Sequence, residues 1–147
     1  MELVAEVYGV FAARSLFGLS PVVVLRSEDG RFLPIYIGLA EAMAINSALK
    51  NVIPPRPMTH DLLVDILGKL NAKVEKIVID DLIDNTFYAR IVLRQNDHEV
   101  EIDARPSDSI AIAVRIGCPI YVEDKVLDEA GSSEELPEEF VEFDEVF

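Results

Sequence analysis

Asp103-Ala104-Arg105-Pro106-Ser107-Asp108 is the stretch whose reading decides the fold, because a strand ends within it and a helix begins. Pro106 lacks an amide hydrogen and has a fixed φ, which suits the first turn of a helix and little else here. Ser107 and Asp108 are residue types that satisfy or complement the free amides of a helix start. The helix is expected to run to about Ile116, where Gly117 stops it. Upstream, Thr86–Gln95 and Glu99–Asp103 form a hairpin around Asn96-Asp97. That turn sets Arg94 opposite Glu99 and Arg90 opposite Asp103, on the face away from Phe87, Ala89, Ile91 and Leu93. A cross-strand ion pair between Arg90 and Asp103 is therefore expected.

The same plan recurs earlier in the chain. Val22–Arg26 and Phe32–Ile37 flank an Asp29-Gly30 turn, and a helix then runs from Gly38 to about Lys50. Pro34 cannot donate to a ladder, which places its strand at an edge or on a bulge. Val24-Leu25-Arg26 corresponds to Val92-Leu93-Arg94 and Ala42-Met43-Ala44-Ile45 to Ser109-Ile110-Ala111-Ile112, displaced by 68 residues at the start and 67 at the end. Either a hairpin-plus-helix unit is used twice, or common β-α patterning produces the likeness by chance. Between the two copies, Val52-Ile53-Pro54-Pro55-Arg56-Pro57 is an ordered connector that cannot be helical. Thr59 is expected to cap a helix reaching about Leu70, with Leu62, Leu63, Ile66, Leu67 and Leu70 as its buried stripe.

Strands over residues 3–11, 72–82 and 119–123 complete the pattern. The fold class that follows is α+β: a mixed, mostly antiparallel sheet of hairpins with three main helices. Residues 1–130 form the domain. Residues 131–147 form an acidic tail in which Leu136, Phe140, Phe143 and Phe147 predict an amphipathic helix, docked on its own domain or on another subunit.

Composition narrows the function classes. The 147 residues are half hydrophobic, enough for one domain with a real core. Apolar runs are short and broken by charge, so no membrane span is expected. Acidic residues stand where a signal peptide would carry bases, and a single cysteine, Cys118, excludes an internal disulfide and suits a reducing compartment. A cytoplasmic protein is expected. The net charge is −14, with nine acids and no base in the last 20 residues. Such a field repels phosphates at long range, so any contact with nucleic acid requires a local arginine cluster or metal ions.

Two helix starts carry the residues for such contact, Arg56-Pro57-Met58-Thr59-His60-Asp61 and Arg105-Pro106-Ser107-Asp108. A helix N-terminus beside an arginine can hold a phosphate, although the same residues also serve as ordinary caps. Asp103 and Asp108 flank one turn, and two carboxylates are a minimal oxygen site for magnesium or manganese. Glu41, in the first turn of its helix, either joins them or simply complements the helix dipole. His60, beside Asp61, is a candidate general base or ligand. No glycine-rich phosphate loop, nucleophile elbow or zinc-type cysteine pair is present.

These residues resemble the bifunctional nuclease domain family. The resemblance lies in Leu33-Pro34-Ile35-Tyr36-Ile37-Gly38 with Glu41-Ala42, in Arg56 to Leu63, in Asp84-Asn85-Thr86-Phe87-Tyr88-Ala89, and in Ile102 to Asp108. It implies cleavage of DNA and RNA. On that reading His60, Asp61 and Asp108 are the catalytic candidates, Arg56, Arg105 and Ser107 bind substrate, and Asp103, Asp108 and Glu41 hold Mg2+ or Mn2+. The competing expectation is a non-enzymatic binding or regulatory module, a homo-oligomer with a dimer as first expectation, suggested by the acidic charge, the tail and the small-residue face Ala40, Ala44 and Ala48.

Overall fold

Residues 1–147 are all described by a computed structural model. Its elements are β1 (Glu2–Ser15), β2 (Gly18–Ser27), β3 (Phe32–Tyr36), α1 (Leu39–Leu49), α2 (Thr59–Lys69), β4 (Lys73–Ile83), β5 (Thr86–Gln95), β6 (His98–Ala104), α3 (Pro106–Ile116), β7 (Ile120–Glu123), α4 (Asp124–Ala130), β8 (Phe140–Glu142) and α5 (Phe143–Val146). The strands form one sheet in the order β3-β2-β1-β7-β4-β5-β6, with β8 added alongside β1. Every pairing is antiparallel except β4 with β7. This is the expected mixed, mostly antiparallel α+β architecture.

The order is symmetric about β7: β1-β2-β3-α1 on one side answers β4-β5-β6-α3 on the other. The two turns Asp84-Asn85 and Asn96-Asp97 hold both residues at positive φ, the conformation that matches the twist of a two-residue hairpin. The β5–β6 register is the expected one, with Arg90 opposite Asp103 and Arg94 opposite Glu99. Pro34 sits on β3, an edge strand whose only strand neighbour is β2. Gly117 stops α3 in the left-handed conformation at φ 84°.

Helices α1 and α3 pack on one sheet face. Their Ala42, Ile45, Ile110, Ala111 and Ala113 interleave with Leu25, Leu33, Ile35, Ile77, Ile91 and Leu93 in one core. Burying each of these leucine and isoleucine side chains contributes about 1.5–3 kcal/mol, so the sheet and these two helices carry most of the fold.

Four local expectations are corrected. The first strand and its partner are longer than the apolar pattern suggests, and β1 and β2 form one hairpin closed at Ser15-Leu16-Phe17-Gly18. Thr59 is the first helical residue of α2, and Met58 is the cap, its amide donating to the Asp61 carboxylate at 3.0 Å. Leu62, Leu63, Ile66 and Leu70 of α2 are largely exposed, and Val64 and Leu67 pack on the core instead. The reason is that α2 leans chiefly on α3, so only one narrow edge of its apolar face finds a neighbour. In the tail, residues 140–142 add a strand to the open flank of β1, and a single helical turn follows. Phe143 enters the core there, and Phe140 lies near Phe11 and Tyr36. A free ladder edge and an aromatic pocket outweigh the helical period, because four spaced aromatics specify a buried face and not a backbone conformation.

Candidate functional site

The starts of the two core helices meet: Arg105, just before α3, bonds to Glu41 in the first turn of α1, and Gly38 and Arg105 line one cleft. Glu41 is the third residue of α1, and Asp108 is the third residue of α3. Gly38 precedes α1, and the Glu41 carboxylate folds back over it, so that a Cβ there would lie 2.7 Å from that carboxylate and would displace it. Beside these two starts lies a cleft of about 540 Å³, lined by Tyr36, Gly38, Asn85, Thr86, Phe87, Arg105 and Ser107, with Leu19, Ser20 and Pro21 as one wall. Ser107 is buried in the cleft floor, and Tyr36 stands 61% exposed at its edge.

Behind the cleft runs a chain of charge. The His60 ring donates from Nε2 to Asp108 Oδ1 at 2.9 Å. The acceptor-only carboxylate requires the ring proton on Nε2. Arg105 donates from Nε to Asp108 Oδ2 at 3.0 Å, from Nη2 to Asp108 Oδ1 at 3.3 Å, and from Nη1 to Glu41 Oε1 at 3.1 Å. A guanidinium has five N–H donors, so two of Arg105 remain, on a side chain 64% exposed. The Ser107 and Asp108 amides at the start of α3 have no acceptor in the protein. The positive end of α3 and the unused guanidinium donors therefore face one cleft.

Burial alone would raise the Asp108 carboxyl, but the hydrogen bonds from Arg105 and His60 outweigh it and hold it below the usual carboxylate range. Arg105 is raised in turn, chiefly by Asp108. Asp108 is thus an anion at neutral pH and accepts bonds without supplying a proton. His60 is only 8% exposed at its side chain, and Asp108 stands between it and Arg105. Its place is behind the carboxylate, largely out of solvent.

The remaining expected site residues lie elsewhere. Asp61 accepts from Arg115 Nε at Oδ1, 2.8 Å, and from the Met58 amide at Oδ2, and these bonds hold its carboxyl below the usual range, Arg115 most strongly. Arg115 also donates to the Ala44 and Ala111 carbonyls, so Asp61 ties α2 to both core helices. Arg56 is exposed in the connector and makes no ion pair. Asp103 points to the opposite sheet face, because its neighbour Ala104 packs on the core and side chains alternate along a strand. There it shares a hollow with Asp80, Asp81, Tyr88, Arg90 and Glu123. The expected Arg90–Asp103 ion pair is not made. The long guanidinium reaches Asp80 at 2.9 Å and Glu2 at 3.1 Å instead, bridging strands that the sequence keeps far apart.

The expected metal set is therefore not assembled. Asp103 and Asp108 lie on opposite sides of the sheet, Glu41 and Asp108 are joined by Arg105, and no three His, Cys, Asp or Glu side chains converge as ligands. Asp103, Asp108 and Glu41 thus do not form one ligand set. Arg105 lies between the Glu41 and Asp108 carboxylates and bonds to both. Tyr36, Asn85 and Phe87, which line the cleft, were not among the expected site residues. An exposed tyrosine ending an otherwise buried strand was the available signal for Tyr36, whereas nothing in the sequence brings the β4–β5 turn beside α3.

The bifunctional nuclease domain model matches residues 23–135. The chain is 48% identical over 112 residues to an uncharacterized protein of Mycobacterium tuberculosis, covering 76% of this chain and 66% of that one. It is 34% identical over 107 residues to bifunctional nuclease 2 of Oryza sativa subsp. japonica and 32% identical over 107 residues to bifunctional nuclease 1 of Arabidopsis thaliana, in each case 69% of this chain and 33% of the relative. The chain thus spans just under two thirds of the mycobacterial relative's length and one third of the plant relatives'. No helix is long and apolar enough to cross a membrane.

Proposed function

Because the chain belongs to the bifunctional nuclease domain family, we propose that it is a nuclease that binds a phosphodiester of DNA or RNA against Arg105 and the start of α3. The observation that carries this reading is the meeting, within hydrogen-bond reach, of Glu41, His60, Arg105 and Asp108 from three separated stretches, behind a cleft that a fourth stretch, Asn85-Thr86-Phe87, helps to line.

Hydrolysis adds negative charge to the phosphate oxygens as water attacks phosphorus and the ester oxygen leaves. The two unused N–H groups of Arg105 and the Ser107 and Asp108 amides are donors for that charge. Asp108 and Glu41 fix the plane of the guanidinium, and His60 fixes Asp108. The exposed Tyr36 ring supplies a surface on which a base can stack. Divalent metal dependence is a separate proposal, and it is measured by running the assay with magnesium, with manganese and with chelator.

The test is cleavage of single- and double-stranded DNA and RNA by the purified chain, with Arg105→Ala, Asp108→Asn and His60→Ala prepared identically. Cleavage that persists in all three variants would sink the proposal, since a contaminant then explains it. His60→Gln, which retains a donor, recovers part of what His60→Ala loses if His60 acts by positioning Asp108. A second reading, a nucleic-acid-binding module without catalysis, is favoured by the burial of His60 and by the absence of an exposed general base in the cleft. It predicts oligonucleotide binding that needs Arg105, with no cleavage under any metal condition.

A further inference from the structure

The cleft beside Arg105 has two kinds of lining. Leu19, Pro21, Ile37 and Phe87 give it apolar surface, and the Tyr36 ring joins them. That ring stands edge-on to Phe140, with centroids 6.4 Å apart and planes at 85°, and a large part of it is still open to solvent. Arg105, Asn85 and Ser107 bring the polar groups. Asn46 is the only asparagine whose side chain bonds within the chain, so the Asn85 amide, set by its turn at φ 63°, is free. Ser107 is only 5% exposed, and its hydroxyl, unlike that of Ser109, has no partner in the protein. Arg90 Nε is the one fully enclosed side-chain nitrogen or oxygen left without a partner, so the Ser107 hydroxyl opens on the cleft. A buried hydroxyl left unbonded is costly unless a ligand or water completes it.

We infer that this cleft takes one unpaired nucleotide, so that the chain prefers single-stranded DNA or RNA to a duplex. The inference rests on the reading of Arg105 and the start of α3 as the phosphate site. In a duplex each base is covered on its faces by its neighbours and on its edge by its partner, which leaves the apolar lining and the Tyr36 ring nothing to meet. An unpaired base offers a face for stacking and a free edge for the Asn85 amide, which carries both donors and an acceptor. Size agrees: a space of about 540 Å³ suits one nucleotide-sized ligand and is too small to admit a double helix. Charge argues the same way. A duplex carries about twice the charge of one of its strands per unit length, so a chain of net charge −14 repels it more strongly. Stacking and bonds from uncharged groups add affinity that this field does not oppose.

Fluorescence anisotropy tests this with a labelled phosphorothioate oligonucleotide, which resists cleavage, offered as a single strand and as the blunt duplex with its complement. Far-UV circular dichroism confirms that each variant of the full chain folds. Wild type is expected to bind the single strand about tenfold or more tightly than the duplex. Tyr36→Ala is expected to weaken single-strand binding by about 5- to 150-fold, the usual loss of one stacked base, and to affect the duplex little. Tyr36→Phe keeps the ring and recovers most of that loss. Ser107→Ala, which removes only the hydroxyl, is expected to weaken the single strand by about 2- to 10-fold. Arg105→Ala is expected to weaken both forms, because it reports on the phosphate site. A duplex bound as tightly as the single strand, or a Tyr36→Ala chain that keeps the full preference, overturns the inference and leaves the phosphate site standing where Arg105→Ala still weakens both. Binding of neither form overturns the two together.

Discussion

Helices α1 and α3 are both eleven residues long, leave the two opposite edge strands β3 and β6, and place an acid at their third position, Glu41 and Asp108. Equivalent positions lie 67 residues apart, the offset that the sequence comparison shows. The helices nonetheless do different work. In α1 only Ala42 and Ile45 are buried, whereas α3 buries Pro106, Ser107 and every residue from Ser109 to Ala113. At the position before the helix, α1 has Gly38 and α3 has Arg105. Helix α2, inserted between the two units, brings His60 to Asp108 and gives Glu41 no counterpart. The repeated plan therefore builds a scaffold with two acids face to face. One arginine and one inserted helix make the pair unequal, and the candidate site lies where that symmetry is broken.

The strongest way to break this comparison is to truncate equivalent core positions. Ile110→Ala is expected to destabilise the fold by about 2–5 kcal/mol, read from denaturant midpoints, because Ile110 is fully buried. Met43→Ala at the matching position of α1 is expected to stay within about 0.5 kcal/mol, since Met43 is exposed. Equal losses would show that α1 carries as much of the core as α3.

Next is the broken position itself. Arg105→Ala is expected to lower cleavage of an oligonucleotide by about 10²–10³-fold in kcat/KM, the usual loss when a donor to transition-state charge is removed. Arg105→Lys keeps the charge but not the fork, and is expected to fall between wild type and alanine. Full activity in Arg105→Ala would remove the site from the cleft.

The two acids come third. Asp108→Asn leaves His60 with a weaker acceptor in a buried place and is expected to cost about 1–3 kcal/mol of stability. Glu41→Gln, bonded only to the exposed end of Arg105, is expected to cost less than half of that. Similar losses for both would mean that the insertion of α2 has not distinguished them.

The smallest effect is with pH. The carboxyls of Asp108 and Asp61 are both depressed in the folded protein. The stability they contribute is fully present above the ordinary aspartate value of about 4 and is lost as pH falls through their folded values. Melting temperature is therefore expected to drop less steeply below pH ~4 in Asp108→Asn than in wild type. Parallel curves would show that Asp108 is not held as an anion by its partners.

The sequence was a good guide wherever the signal was local. Asn96-Asp97 set the β5–β6 register to the residue, because a two-residue turn at positive φ admits one pairing. Pro106 and Gly117 bracketed α3, and Pro34 marked an edge strand. It was a poor guide wherever the choice depended on a distant neighbour. Leu62, Leu63, Ile66 and Leu70 have the period of a buried face, but a face is buried only where something covers it. The aromatics of the tail have helical spacing, but the free edge of β1 offered them a ladder.

The candidate site divides along the same line. Sequence alone indicated the α+β class, the β5–β6 hairpin and the Arg105-Pro106 start of α3, and left the paired hairpin-helix units open, since turn chemistry, period and proline act within a few residues. Only the tertiary structure decided that Arg105 would join Asp108 to Glu41, that His60 would be buried behind Asp108, and that Asp103 would face away from all of them. Strand alternation turns adjacent residues to opposite sides of a sheet, and helix packing brings residues more than 60 positions apart within 3.1 Å. Nearness along the chain suggested Asp103 with Asp108, and the fold chose Glu41.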